Sequence, residues 1–390
     1  MRSNLWKCKA IRVLFWTHFI SSVIVPFFRG WGGLDFTQIM FLNGWFMFCC
    51  FALEIPTGTV ADRFGRKISV VLACPIGVAA ITLFLSYPHF AVFMLAEALF
   101  AVSYTLMSGA EEALVYDSLE QLGEAHTSKR VFAQLDAYKL GGILIGALAG
   151  SVIAKQLGIT MPLRAQMIPL LVAFGLALTL REPPALDGGR TRRSYRETMV
   201  EGVRLLFTNA SLRQLAIDMV CVNAVVWPII LLYQGLLERA GLDLVWFGTV
   251  HAGMALIQIA VLANVERIER LVGSRRRLLV LGALTPALGY ALLGVSAAIW
   301  LVVPSIMLVC ALGLTRLPLF TSYMNKHLPS DVRATALSTA SMLRTFAIAL
   351  FNPLCGLIAD HSLALTALFL AGCALLLALF SRVREEALVD

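Results

Sequence analysis

Gly58-Thr-Val-Ala-Asp62-Arg63-Phe-Gly65-Arg66-Lys67 is a short polar stretch between two long apolar runs. Its pattern is G-x-x-x-D-R-x-G-R-K, with charged residues clustered around the second glycine. Glycine permits a tight turn and a close approach of neighbouring backbone. Basic residues between two apolar runs are typical of a cytoplasmic loop between membrane helices. We therefore predict that the chain crosses a membrane on both sides of this stretch.

The composition of the chain agrees with a membrane protein. Of its 390 residues, 59% are hydrophobic and 14% are charged, and the mean hydropathy is +0.80. Soluble domains average about 45–50% apolar and about 25% charged residues, whereas a membrane helix needs about 20 consecutive apolar residues. We find twelve such runs, at 10–29, 36–60, 68–87, 90–118, 131–154, 160–180, 213–237, 245–263, 278–296, 298–325, 333–358 and 362–381. We predict an all-α polytopic membrane protein with twelve transmembrane helices; eleven is the alternative, because 278–325 has almost no polar break.

The position of the basic residues explains the net charge of +8. With a cytoplasmic N-terminus, 25 of the 32 Lys and Arg residues fall in cytoplasmic segments and four in external segments. Three more lie inside predicted spans: Lys139, Arg316 and Arg344. Basic residues concentrate on the cytoplasmic side of membrane proteins. This distribution predicts that both termini are cytoplasmic, and it requires no nucleic-acid partner.

The loop motif, preceded by Glu54-Ile-Pro56-Thr57, resembles the loop between helices 2 and 3 of the major facilitator superfamily of secondary transporters. A second loop, at 264–277, contains Glu269-Arg270, Gly273 and Arg275-Arg276, which is a weaker copy of the same motif. The copy follows the second predicted span of the second half, where a duplication would place it. Parallel six-helix repeats are a known transporter architecture.

The segment 181–212 is polar and basic, and it separates six predicted spans from six more. Together with the resemblance, it implies two six-helix bundles. These are an N-terminal bundle at 1–180 and a C-terminal bundle at 213–390, joined by a cytoplasmic basic linker at 181–212. We expect a monomer that lies in the lipid bilayer and binds a small-molecule substrate.

The resemblance implies that the first loop is a gate. In the superfamily, the aspartate that matches Asp62 caps a helix of the opposite half. The arginine that matches Arg66 pairs with an acid at the cytoplasmic end of the fourth helix, where Asp117 stands here. The implied gating cluster, which would hold the cytoplasmic side closed, consists of Gly58, Asp62, Arg63, Gly65, Arg66, Lys67 and Asp117. The alternative is a solvated basic loop without a gating role.

Ionisable residues inside predicted spans are candidates for substrate or proton coupling, because a charge at mid-bilayer is costly and usually faces a partner or a wet cavity. Glu111 and Glu112 are adjacent carboxylates that repel each other, which favours the binding of a proton. Structural pairing is an equally good interpretation of these two residues. At the repeat offset Glu111 corresponds to Arg316, so these opposite charges could bind substrate or neutralise each other.

Three further intramembrane charges complete the candidate set. Asp136 and Lys139 lie three positions apart in the fifth span and are able to pair with each other. Arg344 lies within the eleventh span, where a buried ion pair is favoured over an anion-binding site.

The segment Ser108–Ser118 resembles the fourth helix of bacterial efflux-type members of the superfamily. Exporters of the superfamily often carry glycines and a proline in the fifth helix. Here the glycines are present at 142, 146 and 150, where they also permit close helix packing, and the proline is absent. We find no phosphate-binding loop, nucleotide-binding fingerprint, metal-ligand cluster or nucleophile–base pair. We therefore expect neither an enzyme nor a cofactor.

These patterns favour a secondary active transporter that works by alternating access. The preferred prediction is proton-coupled export of a small molecule by an antiporter in the cytoplasmic (inner) membrane of a bacterium. One alternative is an uptake permease for a small polar or anionic solute, which unpaired Arg316 and Arg344 side chains would favour. Another is a non-transporting membrane sensor with the same fold, against which the intact Asp62, Arg63 and Arg66 argue.

Overall fold

A computed structural model describes residues 1–183, 204, 206, 209–326, 328, 333–381, 383, 385 and 388. Most of the predicted linker at 181–212 lies outside these residues. Every regular secondary-structure element within these residues is a helix, which confirms the all-α prediction. The α-helices are α1 (Arg2–Trp16), α2 (Ile24–Gly30), α3 (Phe36–Phe64), α4 (Arg66–Ser86), α5 (Phe90–Gln121), α6 (Ser128–Leu157), α7 (Met161–Leu178), α8 (Ala210–Val226), α9 (Ile229–Arg239), α10 (Phe247–Ala263), α11 (Val265–Val272), α12 (Arg275–Val295), α13 (Ile299–Val309), α14 (Arg316–Lys326), α15 (Arg333–His361) and α16 (Leu363–Phe380). Short 3₁₀ helices lie at Ala125–Thr127 and Leu244–Trp246, and a π-helical turn lies at Cys310–Leu314.

Eleven helical segments of the described chain are long and apolar enough to cross a membrane. They are Phe36–Glu54, Arg66–Ser86, Phe90–Gln121, Ala125–Leu157, Met161–Leu178, Ala210–Arg239, Leu244–Ala263, Arg275–Val295, Ile299–Thr321, Thr339–His361 and Leu363–Phe380. The predicted run 10–29 is not among them, because α1 ends at Trp16 and α2 begins only at Ile24. The run 278–325 does divide, since the backbone leaves the helix between Val295 and Ile299.

The outward-facing side chains fit an apolar solvent. Leu95, Ile168 and Phe380 are 61%, 65% and 74% exposed, and many other large apolar residues along the spans are also exposed. A soluble monomer rarely exposes large contiguous apolar surface. Exposure on this scale is what lipid contact requires, so we describe the chain as a multi-pass membrane protein.

Local sequence chemistry sets the two matching loops that follow α3 and α11. Gly65 has φ +100° between α3 and α4, and Gly273 has φ +78° between α11 and α12. Residues with a Cβ rarely adopt a positive φ, so glycine is the natural residue at both turns. Ser274 then caps α12 by accepting a hydrogen bond from the Arg277 N–H at 3.2 Å.

The described residues divide into two compact units. The first unit contains those within Met1–Leu34, Trp45–Arg190 and Asp243–Ala252, and the second unit contains those within Asp35–Gly44, Thr191–Leu242 and Gly253–Asp390. In the first unit, α4 packs on α5 and α7, and α1 packs on α6 and α7. In the second unit, α12 packs on α13 and α16, and α8 packs on α15.

Candidate functional site

Two elements hold the loop between α3 and α4 in the first unit. Arg66 forms an ion pair with Asp117 of α5, and its guanidinium donates a second hydrogen bond to the Ala113 carbonyl oxygen at 2.7 Å. From the other side, the Glu182 carboxylate accepts hydrogen bonds from the backbone N–H groups of Arg66 and Lys67, at 2.8 and 2.6 Å. A carboxylate at a helix N-terminus satisfies free N–H groups and opposes the positive end of the helix dipole. The loop is therefore anchored both to α5 and to the chain that follows α7.

The other predicted gating residues surround this anchor. Asp62 and Arg63 are exposed in the last turn of α3, and the Arg63 guanidinium lies 5.6 Å from the centroid of the Phe64 ring. A Cβ at Gly58 would meet no atom within 4 Å, whereas one at Gly65 would lie 3.0 Å from the Glu182 carboxyl carbon. Close approach of the backbone thus matters at Gly65. The pairing of Arg66 with Asp117 is the contact that the resemblance implied; the gating role remains a prediction.

Sequence reasoning missed Glu182 as part of this site. It belongs to the start of the polar segment at 181–212, which reads as a linker, and nothing in the local pattern indicates a cap that acts across more than 110 positions. The corresponding loop of the second unit has an equivalent. There the Glu385 carboxylate accepts hydrogen bonds from the Arg275 and Arg276 N–H groups at 3.0 and 2.9 Å, and from the Ser274 hydroxyl at 2.5 Å.

The predicted carboxylates of α5 share one guanidinium. Arg12 of α1 lies with Nη1 3.0 Å from Glu111 Oε2 and Nη2 2.9 Å from Glu112 Oε1. The side chains of Arg12 and Glu111 are 5% and 0% exposed, whereas Glu112 is 54% exposed. Two carboxylates therefore face one cation. Arg12 lies near the start of the predicted run at 10–29, and the structure buries its side chain beside Glu111 of α5.

Asp136 and Lys139 do not form the ion pair that their spacing allows. Asp136 is exposed on α6, and the Lys139 ammonium lies 3.9 Å from the centroid of the Trp16 ring. No described acid lies within ion-pair distance of Lys139. The difference has a physical reason, because a half-buried ammonium gains from the face of an indole as well as from a carboxylate.

In the second unit, the Arg316 guanidinium forms a buried ion pair with Asp218 of α8, at 2.6 Å between Nη2 and Oδ2. The two side chains are 2% and 8% exposed. Glu111 and Arg316, which the repeat offset places at matching positions, thus each have an ionic partner inside their own unit. The hypothesis that they neutralise each other is not needed. Arg344 lies in α15, half-buried, and one of its guanidinium nitrogens lies 3.5 Å from the Thr345 hydroxyl.

Glu97 is a further buried acid on the face of α5 that carries Glu111. Glu97 is 8% exposed, and no described residue forms an ion pair with it. Its helical spacing from Glu111 is visible in the sequence, but its isolation from basic residues is a tertiary property.

Comparisons with known proteins agree with this architecture. The family model of the Major Facilitator Superfamily matches residues 11–352. The comparison with curated proteins finds no match. Among solved structures, the chain is similar to the nucleoside transporter NupG, with 14% identity, a TM-score of 0.80, and coverage of 96% of this chain and 97% of the other.

Two other solved structures show the same fold. A bacterial homologue of the human lysosomal transporter Spinster, in an inward-facing and unoccupied conformation, has 15% identity and a TM-score of 0.78, covering 100% of this chain and 98% of the other. A POT family transporter in complex with a thioalcohol-conjugated peptide has 15% identity and a TM-score of 0.73, covering 100% and 96%. Since the family model spans most of the sequence and the fold agrees over its whole length, this chain belongs to the Major Facilitator Superfamily.

Proposed function

We propose that this protein is a secondary active transporter that works by alternating access and exports a small molecule in exchange for protons. The observation that carries the proposal is the group formed by Arg12, Glu111 and Glu112. Two carboxylates bring two negative charges to one guanidinium, and one of the carboxylates is fully buried. Because uncompensated charge is costly in a membrane span, a proton on one carboxylate restores neutrality. A group in which either one or both carboxylates are ionised can bind and release a proton, and is therefore suited to coupling proton movement to transport.

The loop between α3 and α4 is the proposed gate on the cytoplasmic side. Its anchors are the ion pair of Arg66 with Asp117 and the cap that Glu182 provides. Contacts of this kind can break and re-form without cost to a hydrophobic core, because charged partners can be solvated by water when they separate. The distribution of basic residues supports a cytoplasmic position of both termini, and the location that we propose is the inner membrane of a bacterium.

Uptake of an anionic solute is less well supported. Unpaired Arg316 and Arg344 side chains would favour uptake of a small polar or anionic solute, and Asp218 neutralises Arg316 inside the second unit. Substrate export and proton exchange, rather than anion capture, remain the better interpretation.

Proton movement in liposomes tests the coupling. The purified protein would be reconstituted with an internal pH dye, and a panel of lipophilic cations, sugars and organic anions would be added. We expect substrate-dependent proton flux that is lost in Glu111→Gln or Glu112→Gln. Glu120→Gln, at the exposed end of the same helix, is the matched control and should retain flux. Solute flux without proton movement in the wild type would contradict proton coupling.

The gate has a separate test. We expect Asp62→Asn and Arg66→Gln to impair transport while leaving membrane insertion and elution as a folded monomer unchanged. Wild-type flux in both correctly inserted variants would show that this loop is a solvated linker and not a gate.

A further inference from the structure

The first predicted span of the chain, at 10–29, is interrupted between α1 and α2. The backbone from Thr17 to Val23 is not helical, and one side of it is covered by the glycines of α6. A Cβ at Gly142 would lie 2.5 Å from the Val13 carbonyl oxygen, and one at Gly146 would lie 2.7 Å from the backbone nitrogen of His18. Irregular backbone at membrane depth is tolerated where it is buried in protein or lines a cavity. In transporters, such interrupted helices frequently form binding sites.

Half-buried aromatic rings surround the interruption. Trp16 stacks on His18, with ring centroids 5.6 Å apart and planes at 21°, and meets Tyr104 edge to face at 5.5 Å. Phe100 contacts His18 at 5.8 Å, and Phe46 contacts Tyr104 at 5.9 Å. These rings come from α1, α3 and α5 and from the interrupted stretch, and all of them belong to the first unit.

Two buried polar atoms of this set have no hydrogen-bond partner among the described residues. They are Nε1 of Trp16 and Nε2 of His18. The indole nitrogens of Trp31 and Trp45, in contrast, donate to backbone carbonyl oxygens at 3.4 and 2.9 Å. An unsatisfied buried donor is costly, and the indole N–H can only donate. The Trp16 nitrogen therefore requires an acceptor that the described chain does not supply.

A positive charge lies at the edge of the same group. The Lys139 ammonium is 3.9 Å from the centroid of the Trp16 ring, on α6. The contrast with the other aromatic cluster of the first unit is informative. Phe27, Phe28, Phe84 and Phe93 are buried against one another and include no polar side-chain atom. That cluster has the chemistry of a packed core, whereas the rings around the interruption combine apolar faces with unsatisfied polar groups.

We propose that the rings around the interrupted first segment form a binding subsite for a planar aromatic or heteroaromatic solute that carries a hydrogen-bond acceptor. The ring of the solute packs against Phe46, Phe100 and Tyr104, and its acceptor receives the Trp16 Nε1–H bond, with His18 Nε2 as a second polar contact. The subsite names the substrate class of the transporter proposed above and rests on that function for its biological use.

Ligand-observed NMR with the full-length protein in lipid nanodiscs tests the subsite without requiring transport. The planar probes are uracil, indole-3-carboxamide and quinolin-4-one; the saturated probes with an acceptor are cyclohexanecarboxamide and piperidin-2-one. Empty nanodiscs correct for partition into lipid. We expect saturable binding of planar probes that is weakened about fivefold in Phe100→Leu, with a comparable loss in Trp16→Phe, which keeps an aromatic ring but removes the N–H. Phe84→Leu, in the packed cluster, is the control and should bind as the wild type does.

Three results would overturn the proposal: equal binding of the saturated probes, unchanged binding in both Phe100→Leu and Trp16→Phe, or no saturable binding of any planar probe by the folded protein. The outcomes for transport are separate. Planar probes that bind but are not moved across liposomes would uphold the subsite and argue against the proposed function. Flux of a non-aromatic solute that is insensitive to both substitutions would do the reverse.

Discussion

Each unit has a buried ion pair between corresponding helices, α1 and α5 in the first unit and α8 and α14 in the second, but the charges are exchanged. In the first unit the cation, Arg12, is on α1 and the acid, Glu111, is on α5. In the second unit the acid, Asp218, is on α8 and the cation, Arg316, is on α14. The matching positions lie about 205 residues apart in the chain. The repeat therefore retains a neutral pair at this position and not a particular sign of charge.

A similar exchange of charge occurs between Lys155 and Asp360, which lie near the C-terminal ends of α6 and α15. In the first unit, Lys155 at the end of α6 pairs with Asp243 at 2.7 Å. In the second unit, Asp360 near the end of α15 accepts hydrogen bonds from the Phe36 and Thr37 N–H groups, at 2.6 and 2.9 Å. One difference between the units is Glu112, which brings a second carboxylate to Arg12; among the described residues, Asp218 is the one acid that pairs with Arg316. We infer that a buried ion pair is common to both units and that the additional carboxylate beside Arg12 is where the units diverge in function.

The largest expected effect is loss of the pair in the second unit. Asp218→Asn leaves the Arg316 guanidinium buried without a counter-charge, which should cost about 3–5 kcal/mol of unfolding free energy. Glu111→Gln should cost much less, because Arg12 keeps Glu112 as a partner. Denaturant or thermal unfolding in detergent, followed by tryptophan fluorescence, measures both. The double variant Asp218→Leu/Arg316→Leu should recover most of the loss, and equal losses in the two single variants would break the comparison.

Helix contact through glycine should behave alike in the two units. A Cβ at Gly146 would meet backbone of the interrupted first segment, and one at Gly356 would lie 2.7 Å from the Thr37 Cα. We expect Gly146→Ala and Gly356→Ala each to destabilise the protein by about 1–3 kcal/mol through overpacking. Gly141→Ala and Gly372→Ala are the matched controls, because a Cβ at either position meets nothing within 4 Å. Thermal unfolding of the four variants would sharpen the comparison; an effect in one unit alone would contradict it.

The carboxylate caps should contribute less. Glu182→Gln and Glu385→Gln remove a charged cap from α4 and α12, which typically costs about 1 kcal/mol. Hydrogen exchange at the amides of residues 66–67 and 275–276 should rise selectively in the corresponding variant. If it rises at both loops in either variant, the caps are not local to their units.

The cap by Glu385 also predicts a pH dependence. Burial raises the pKa of this carboxyl, but the Ser274 hydroxyl, the N–H groups of Arg276 and Arg275, and the Arg275 charge together hold the pKa below its ordinary value. Its contribution is therefore present above the ordinary pKa of glutamate, about 4.3, and is lost as the pH falls through the lower value of the folded protein. We expect unfolding midpoints of wild type and Glu385→Gln to differ at pH 7 and to converge in acid. A constant difference across this range would exclude the carboxylate as the source.

The smallest effect is expected at the exposed pair of the first unit. The hydrogen bond from Lys155 lowers the pKa of Asp243, and the Val245 N–H adds to this effect. Because both side chains are solvated, the pair should contribute little to stability. We expect Lys155→Met to leave the unfolding midpoint unchanged within error at neutral pH. Asp360→Asn, which weakens the cap of α3 in the second unit, is the variant for comparison, and we expect it to lower the unfolding midpoint.

Periodic and local features of the fold could be predicted from the sequence, and long-range partners could not. The apolar runs and the loop at Gly65 are encoded within 10 to 30 neighbouring positions, so all-α spans and a turn follow directly. The interruption after Trp16 is not predicted, because residues 10–29 form a mostly apolar run that contains no glycine and no proline before Pro26 to mark a break. Arg12 and Glu182 were missed as site residues because their partners lie about 100 positions away. Spacing identified Glu111, Glu112 and Arg316 as important, but tertiary structure alone assigned their partners.

The glycines of α6 have a mechanical consequence. Where backbones touch directly, no side chains lie between them that could repack when one segment shifts, so the interrupted first segment and α6 should rotate together. α6 contains 30 residues, and Gly146 lies 18 residues from its start at Ser128. At about 1.5 Å per residue, that arm is about 27 Å long, so a tilt of about 5° at the contact would move the far end by about 2 Å. With this geometry, a small displacement beside the interruption would become a larger one at the loop before Ser128, so α6 is built to act as a lever.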